Sequence, residues 1–516
     1  MTWSVPWNSY CYAIIGVATF IGILTAIHRL FFHPLRRFPG PRLAAITPLY
    51  KIYYEVYRGG ELLQCLIELH KIYGNVIRIA PNEVNLFSYP IYIKAHYDPQ
   101  LHFNDYAAHS AIYAVGSHFT KDEHFYRSFG ANESAFGAIR PQDSRLRRNL
   151  LLPLFSRRAI LRFEHIIHHK VEKFVSLLAA NHQQRPANMM LAFRCLTMEI
   201  IASYCFCTSE SPLDAQDFHD PFITVTRGAI PSIWIMKCWP SLKALLDCLP
   251  QWIAQSLSPA SVTAFMEINR MISRYIDRML EEETLVQGSG SQTIYRHLLD
   301  RSTQQLRRSR RRFVEETFSL LQAGSESPGN ACAIGTFYVL NDPVIHSKLL
   351  HELYTAWPDK DAPVGYCVLE KLPYLTAVIK ESLRMSHGIV TPLPRIVGPA
   401  NALISGYDVP AGTVVGVSIA CLNTDMNLFK DPHLFSPERW MQPSSKTLEK
   451  YLNPFSKGPR MCIGINLAWC ELYLIFGYVF RRLEMNLCDI GDFTKFKDFF
   501  TPVYEETYHV HAKVRT

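Results

Sequence analysis

One cysteine near the carboxyl end of the chain is placed where its thiol could ligate a metal. Residues 455–464 read FSKGPRMCIG, and a long apolar stretch of helical character follows them. Cys462 therefore lies just before the start of a predicted helix, where the helix dipole and free backbone N–H groups favour a thiolate. Gly458 and Gly464 allow unusual backbone dihedral angles and close approach of the chain. By itself, a Cys-x-Gly sequence is more typical of a buried structural thiol.

This loop resembles the haem-binding signature of the cytochrome P450 family, in which Phe is followed at fixed spacing by Gly, Arg, Cys and Gly. All five positions are filled, by Phe455, Gly458, Arg460, Cys462 and Gly464. The five-position match favours a ligand over a structural thiol. The resemblance implies that Cys462 is the axial ligand of the iron in a haem b cofactor, where a thiolate favours O–O bond cleavage.

A second set of residues resembles the buried Glu-Arg-Arg cluster of the same family. Glu381 and Arg384 lie three residues apart on a predicted helix and so project from one face. Arg439, within the sequence Pro-Glu-Arg-Trp, matches the third member. A Glu-x-x-Arg pair alone is usually a weak surface ion pair. The resemblance implies a structural cluster that fixes the region around the cysteine loop.

The resemblance also identifies arginines that would bind the haem propionates, since guanidinium groups pair well with carboxylates. They are Arg148, Arg395 and Arg460. Family members usually carry Trp or His four residues before the first of these, and here that position is Ser144.

A third match lies in a long predicted helix. The sequence from Ala323 to Ser327, AGSES, resembles the oxygen-activating motif of the family, with Ser in place of the usual Thr. Glu326 and Ser327 are thus expected to be catalytic and to relay protons, a role that contributes about 10²- to 10⁴-fold. Pro328 follows directly; it removes an N–H and crowds the carbonyl of Gly324. We expect a kink or groove there.

The elements that position these residues are predicted to be mainly helical with a small β portion. The resemblance implies the cytochrome P450 fold, a single large haem-binding domain after an N-terminal transmembrane helix. Periodic apolar patterns predict helices over residues 145–178, 192–206, 262–283, 311–340, 344–357 and 369–385. Strand-like sequence occurs at 75–88, and the Val- and Ile-rich segment 395–420 predicts hairpins. The predicted domains are an anchor over 1–30, a proline-rich hinge over 31–45, and a catalytic domain over 46–516.

The N-terminal segment is predicted to cross a membrane once. Residues 10–27 carry no charge and would form a helix about 27 Å long, near the thickness of a bilayer core. No basic region precedes the apolar run, which argues against a cleaved signal peptide. Arg29, Arg36 and Arg37 follow it and predict a cytosolic catalytic domain. With the resemblance, this implies the endoplasmic reticulum membrane.

Composition and charge exclude several classes of protein. With 516 residues and 48% hydrophobic content, the chain can bury a large core. The net charge of +8 does not indicate nucleic-acid binding, because the densest basic run, residues 307–312, has no interleaved aromatics. Thirteen cysteines without a CxxC pair indicate reduced thiols and no zinc site.

An external protein must supply electrons, because no G-x-G-x-x-G motif follows a strand in this chain. The resemblance implies NADPH-cytochrome P450 reductase, a flavoprotein, with cytochrome b5 as a further donor. We expect the reductase to dock near the cysteine loop, at Lys457 and Arg460.

The predicted function is that of a haem-thiolate monooxygenase that hydroxylates or epoxidises an apolar small molecule, such as a terpenoid or another fungal secondary metabolite. The expected pocket is lined by Ala323, Gly324, the loop 389–393 and the turn 501–503. Two alternatives stay open: a haem-thiolate rearrangement or dehydration enzyme that needs no reductase, and a non-catalytic haem or ligand-binding protein. Retention of an acid and a hydroxyl at Glu326 and Ser327 argues against the last.

Overall fold

Helices make up most of the chain, and short strands form small sheets beside them. The computed structural model describes residues 7–81, 100–206, 211–250, 253, 256, 258–285, 294–295, 297, 310–493 and 495–515. The α-helices are Trp7–Ile27, Arg42–Ile46, Leu49–Ile52, Leu62–Tyr73, Tyr106–Tyr113, Glu123–Arg127, Pro141–Leu151, Arg157–Asn181, Met189–Phe206, Pro221–Ala229, Ser232–Cys238, Pro240–Asp247, Ala260–Leu285, Arg310–Asn341, Pro343–Ala356, Tyr366–Leu369, Pro373–Met385, Ile419–Asn423, Ser445–Tyr451 and Ile465–Arg482. The strands are β1 (Val76–Ala80), β2 (Gln100–Phe103), β3 (Thr120–Lys121), β4 (Ala187–Asn188), β5 (Arg395–Ile396), β6 (Ala402–Ile404), β7 (Tyr407–Val409), β8 (Val414–Val417), β9 (Leu483–Asp489), β10 (Phe496–Phe499), β11 (Thr501–Tyr504) and β12 (His509–Val514). The predicted class, mainly helical with a small β portion, is confirmed.

The chain divides into two compact units. The smaller comprises residues 1–112, 116–124 and 392–417. Its five-stranded sheet has the order β1-β2-β8-β5-β3, in which β2 and β8 run parallel, and β6 pairs with β7 in a separate hairpin. The strand predicted at 75–88 is found over residues 76–80, and residues 82–88 lie outside the described chain. The segment 395–420 contains four short strands and one hairpin, as predicted, although a helix begins at Ile419.

The N-terminal helix has the length and composition of a membrane span. The apolar stretch Tyr12–Phe32 has a mean hydropathy of 1.9, and none of its best window is buried. The helix Trp7–Ile27 continues as a π-helix over His28–Phe32 before Pro34 starts a short 3-10 turn. The helix Met189–Phe206 is also apolar enough to span a membrane, but it is 89% buried and belongs to the core.

The larger unit comprises residues 113–115, 125–391 and 418–516. Its longest helix, Arg310–Asn341, is here called the central helix, and it packs against Met189–Phe206, Pro373–Met385 and Ile465–Arg482. A three-stranded sheet of order β4-β12-β9 and the β10-β11 hairpin complete this unit. The central helix is continuous through Pro328, so the proline does not end it.

Two of the predicted helices are wrong in their extent. Residues 145–178 form two helices, because the chain turns after Leu151 and Ser156 caps a new helix by accepting a hydrogen bond from Ala159 N. The helix predicted over 369–385 begins at Pro373 instead, where proline is favoured because its fixed φ suits the first helical turn. Both errors come from local start signals that a periodic apolar pattern does not contain.

Candidate active site

The cysteine loop, residues 455–464, is closed by backbone hydrogen bonds. Cys462 N donates to Phe455 O at 2.9 Å, and Met461 N donates to Gly458 O at 3.1 Å. Gly458 has a φ of +71°, and a Cβ there would lie 2.1 Å from Tyr113 O. Only glycine fits such a conformation and such a close backbone contact. The loop thereby holds Cys462 just before the helix Ile465–Arg482.

The Cys462 side chain is exposed, yet protein surrounds it closely enough that burial raises the pKa of its thiol. A hydrogen bond from the Gly464 backbone and the charge of Arg148 act in the opposite direction and lower that pKa. Arg148 also braces the loop, since its Nη2 donates to Met461 O at 2.9 Å. A thiol that is accessible and has a cationic neighbour fits a thiolate ligand of haem iron.

Gly464, two residues after Cys462, lies next to the thiol and has no side chain. A Cβ built on Gly464 would lie 3.9 Å from Cys462 Sγ and 4.0 Å from Phe155, both ordinary contact distances. Glycine at position 464 thus adds no side chain against the sulfur, which suits the donor set of a cysteine-ligated haem.

Glu381, Arg384 and Arg439 form one buried cluster. Arg384 donates to Glu381 through Nε at 3.0 Å and Nη2 at 2.8 Å, and Arg439 Nε donates to it at 3.0 Å. Trp440 Nε1 and Ser436 N, both at 2.9 Å, complete five donors to this carboxylate. The two guanidinium groups also donate to the backbone carbonyls of residues 423, 430, 431, 432 and 434. The cluster therefore fixes the chain over 430–440, and its expected effect on the region around the cysteine loop stays a prediction.

Two of the three arginines expected to bind propionates contact or belong to the cysteine loop. Arg148 contacts it directly, and Arg460 lies in it but donates to Ala138 O and Ile139 O, each at 3.0 Å. Arg395 belongs to the smaller unit, where it is buried on β5 and donates to Pro394 O. Ser144 is buried. The propionate roles of the three arginines stay predictions.

The predicted catalytic acid and hydroxyl project from adjacent faces of the central helix. Ala323 is exposed and Ser327, one turn further, is half-buried, so this face opens onto accessible space. Glu326 is 5% exposed and accepts a hydrogen bond from Arg194 Nε at 3.2 Å. Gly324, expected to line the pocket, instead faces Ile201, because a Cβ there would lie 2.6 Å from that side chain.

The segments expected to line a pocket meet at the tip of the β10-β11 hairpin. Val390 N donates to Phe500 O at 2.9 Å, and the Thr391 hydroxyl donates to Asp498. Phe500 packs in turn against Phe129 and Phe136, with ring centroids 4.7 and 5.7 Å away. The sequence analysis did not single out these aromatic rings, because their neighbours are hundreds of residues distant.

Arg194 was also missed, although the sequence carries a signal for it. It is the only charged residue in MMLAFRCLTM, the first ten residues of an apolar helix, and a buried charge needs a partner. Its partners, Glu326 and Asn330, are more than 130 residues away.

Comparison with known proteins agrees with this fold. The family model described as Cytochrome P450 matches residues 41–504. The cytochrome P450 monooxygenase flvC of Aspergillus flavus is 32% identical over 514 residues, which cover 95% of this chain and 92% of that protein. The monooxygenase macH of Penicillium terrestre is 31% identical, with 95% of each chain covered. The N-acetyltryptophan 6-hydroxylase ivoC of Emericella nidulans is 30% identical, covering 96% of this chain and 95% of that protein.

The chain belongs to the cytochrome P450 family, in which a cysteine binds the haem iron. It is a monooxygenase, as its fungal relatives are.

Proposed function

We propose that this chain hydroxylates or epoxidises an apolar small molecule of fungal secondary metabolism, with electrons from NADPH-cytochrome P450 reductase. The observation that carries this proposal is the accessible Cys462 thiol on a glycine-braced loop beside Arg148. Either reaction consumes O₂, two electrons and two protons and yields water: hydroxylation converts a substrate C–H bond into an alcohol, and epoxidation converts a C=C bond into an epoxide.

When bound, the haem supplies the oxygen chemistry, and the chain's residues bind, orient and move protons. Arg148 and the Gly464 backbone favour the thiolate of Cys462, since both lower the pKa of the thiol. Ser327, on the open face of the central helix, holds the hydroxyl through which protons pass, and Glu326 is the acid behind it. Arg148 and Arg460 are the arginines at the cysteine loop that can neutralise the propionates.

A terpenoid or an aromatic metabolite suits the apolar surroundings of the expected pocket. The half-buried rings of Phe136 and Phe500 lie at the hairpin tip that contacts the loop 389–391. Apolar and aromatic walls with few polar groups are typical of small-molecule sites. The relative ivoC is named for N-acetyltryptophan, so that compound belongs in any substrate screen beside terpenes.

The exposed N-terminal helix supports a single-pass anchor in the endoplasmic reticulum membrane with the catalytic domain in the cytosol. None of the best window of its span Tyr12–Phe32 is buried, so the span offers an apolar surface to a bilayer. Deletion of residues 1–30 should move the protein from the membrane to the soluble fraction after cell lysis. If the truncated protein stayed in the membrane after alkaline carbonate washing, the anchor would be contradicted.

The function is tested with ¹⁸O₂. Microsomes that contain the full chain and reductase are incubated with NADPH and a panel of terpenes and N-acetylated aromatic amino acids, and products are analysed by mass spectrometry. We expect one ¹⁸O atom in the product, dependence on NADPH, and no product from Cys462→Ala. Product formed without NADPH and without ¹⁸O would instead indicate a rearrangement or dehydration.

A further inference from the structure

The central helix is held, on both sides of Pro328, by one face of the helix Met189–Phe206. The proline has no N–H, so the Gly324 carbonyl lacks its usual donor four residues on. Such an irregularity needs external support if the neighbouring side chains are to keep one orientation. The supporting face consists of Arg194, Thr197 and Ile201, spaced three and four residues apart.

Arg194 spans one turn of the central helix with a fork of two hydrogen bonds. Its Nε donates to Glu326 Oε2 at 3.2 Å, and its Nη2 donates to Asn330 Oδ1 at 2.8 Å. Both contacts are deeply buried, with the arginine side chain only 2% exposed. Because Glu326 and Asn330 flank Pro328, the fork fixes the helix on either side of it.

Close packing reinforces this fork. The Thr197 hydroxyl donates to Ser325 O at 2.8 Å. A Cβ added to Gly329 would lie 3.2 Å from both Arg194 Cγ and Thr197 Oγ1, and one added to Gly324 would overlap Ile201. The two helices can therefore approach at this point only because both positions are glycine.

The fork also reaches the β10-β11 hairpin. Asn330 Nδ2 donates to Pro502 O at 3.3 Å, so Arg194, Asn330 and strand β11 form one chain of contacts. Arg227 is a second cation near this fork. Burial is the largest cause of its lowered pKa; the charge of Arg194 lowers that pKa further, and the charge of Glu326 raises it. Among the described residues, Arg194 Nη1 has no hydrogen-bond partner.

We propose that Arg194 is the positioning residue for proton delivery: its fork to Glu326 and Asn330 holds the acid beside Ser327 despite Pro328. Arg194 acts through Glu326 and does not touch the substrate. Glu326 would direct protons from solvent towards the Ser327 hydroxyl. This inference rests on the proposed function, and it assigns a role to a residue outside the family motifs.

Two routes to the same product distinguish a variant that impairs proton delivery from one that damages the structure in general. The NADPH route needs O₂, two electrons and two protons, whereas hydrogen peroxide already contains those electrons and protons and reacts as RH + H₂O₂ → ROH + H₂O. With the compound that the native protein converts, we expect Arg194→Met to lose at least about tenfold in NADPH-supported turnover, as for a misplaced proton donor. Peroxide-supported turnover should stay within about twofold of the native value at equal haem content.

Three variants make the test specific. Glu326→Gln should show the same split between routes, and Arg194→Lys, which keeps the charge but loses the fork, should show it in milder form. Arg481→Met is the matched control. Arg481 is also a buried arginine, but it donates to the backbone carbonyls of residues 357 and 358. The variant Arg481→Met should leave the ratio of NADPH-supported to peroxide-supported turnover unchanged, whatever its effect on stability.

A readout that does not depend on turnover is hydrogen exchange of the β10-β11 hairpin. Because the fork reaches Pro502 O, loss of Arg194 should speed amide exchange at residues 500, 501, 503 and 504, and Arg481→Met should not. Equal losses by both routes in Arg194→Met, or no loss by either, would overturn the proposal, as would unchanged exchange at the hairpin. If the native protein converts no compound by either route, the proposed function fails, and the exchange experiment still decides whether the fork exists.

Discussion

Replacement of Glu381 by Gln tests the buried cluster that fixes residues 430–440. The carboxylate oxygens accept five hydrogen bonds, three at Oε1 and two at Oε2, and the side chain is fully buried. Glutamine has one acceptor oxygen, so at least two donors would face an NH₂ group, at about 1–3 kcal/mol each. Removing the charge also leaves Arg384 and Arg439 without a counterion, and broken buried pairs typically cost about 3–5 kcal/mol.

We therefore expect Glu381→Gln to lower the free energy of unfolding by about 3–5 kcal/mol, a large share of the roughly 5–15 kcal/mol of a typical native protein. The measurement is urea unfolding of the detergent-solubilised full chain, followed by tryptophan fluorescence and by loss of bound haem. The control is Glu370→Gln. Glu370 pairs with Arg157 at the surface, where side chains are 25% and 49% exposed, so we expect less than about 1 kcal/mol. A Glu381→Gln loss no larger than that of the control would refute the reasoning.

Two further predictions concern the loop and a buried acid. Gly458→Ala should abolish haem incorporation because its Cβ would overlap Tyr113 O; Gly412→Ala has a similar φ of +80° but open space, and should retain the haem spectrum. Burial raises the pKa of Glu316 from its ordinary value of 4.5 to about 7. The protonated form therefore stabilises the fold below about pH 4.5, and this contribution is lost as the pH rises through 7. Relative to Glu316→Gln, the native chain should lose roughly 3 kcal/mol between pH 4.5 and 8 in urea unfolding; parallel pH profiles would contradict this.

The sequence predicted the parts of the site that depend on short spacings. The cysteine loop occupies ten residues of chain, and the structure shows it closed by backbone hydrogen bonds. Glu381 and Arg384 lie within four residues of chain, and the structure shows them buried together with Arg439. The helical fold followed from apolar periodicity, although it missed the helix starts at Ser156 and Pro373, which depend on capping and on proline.

Long-range partners could not be read from the sequence. The apolar helix around Arg194 was predicted from residue 192 to 206, but nothing in it names Glu326 and Asn330 as partners. The resemblance likewise assigned Arg460 to a propionate, whereas its guanidinium nitrogens also bind the carbonyls of residues 138 and 139. Such contacts depend on how helices pack, and many packings suit one pattern of apolar residues.

The most direct test of the site is the difference spectrum of the reduced, carbon monoxide-bound full chain. The native protein and Cys367→Ala, which removes an exposed cysteine outside the loop, should both show the Soret band of a thiolate-ligated haem. Cys462→Ala should lose that band while it keeps the native circular dichroism spectrum. A thiolate-type band that persists in Cys462→Ala, or its absence from well-folded native protein supplied with haem, would contradict the assignment of Cys462 as the iron ligand.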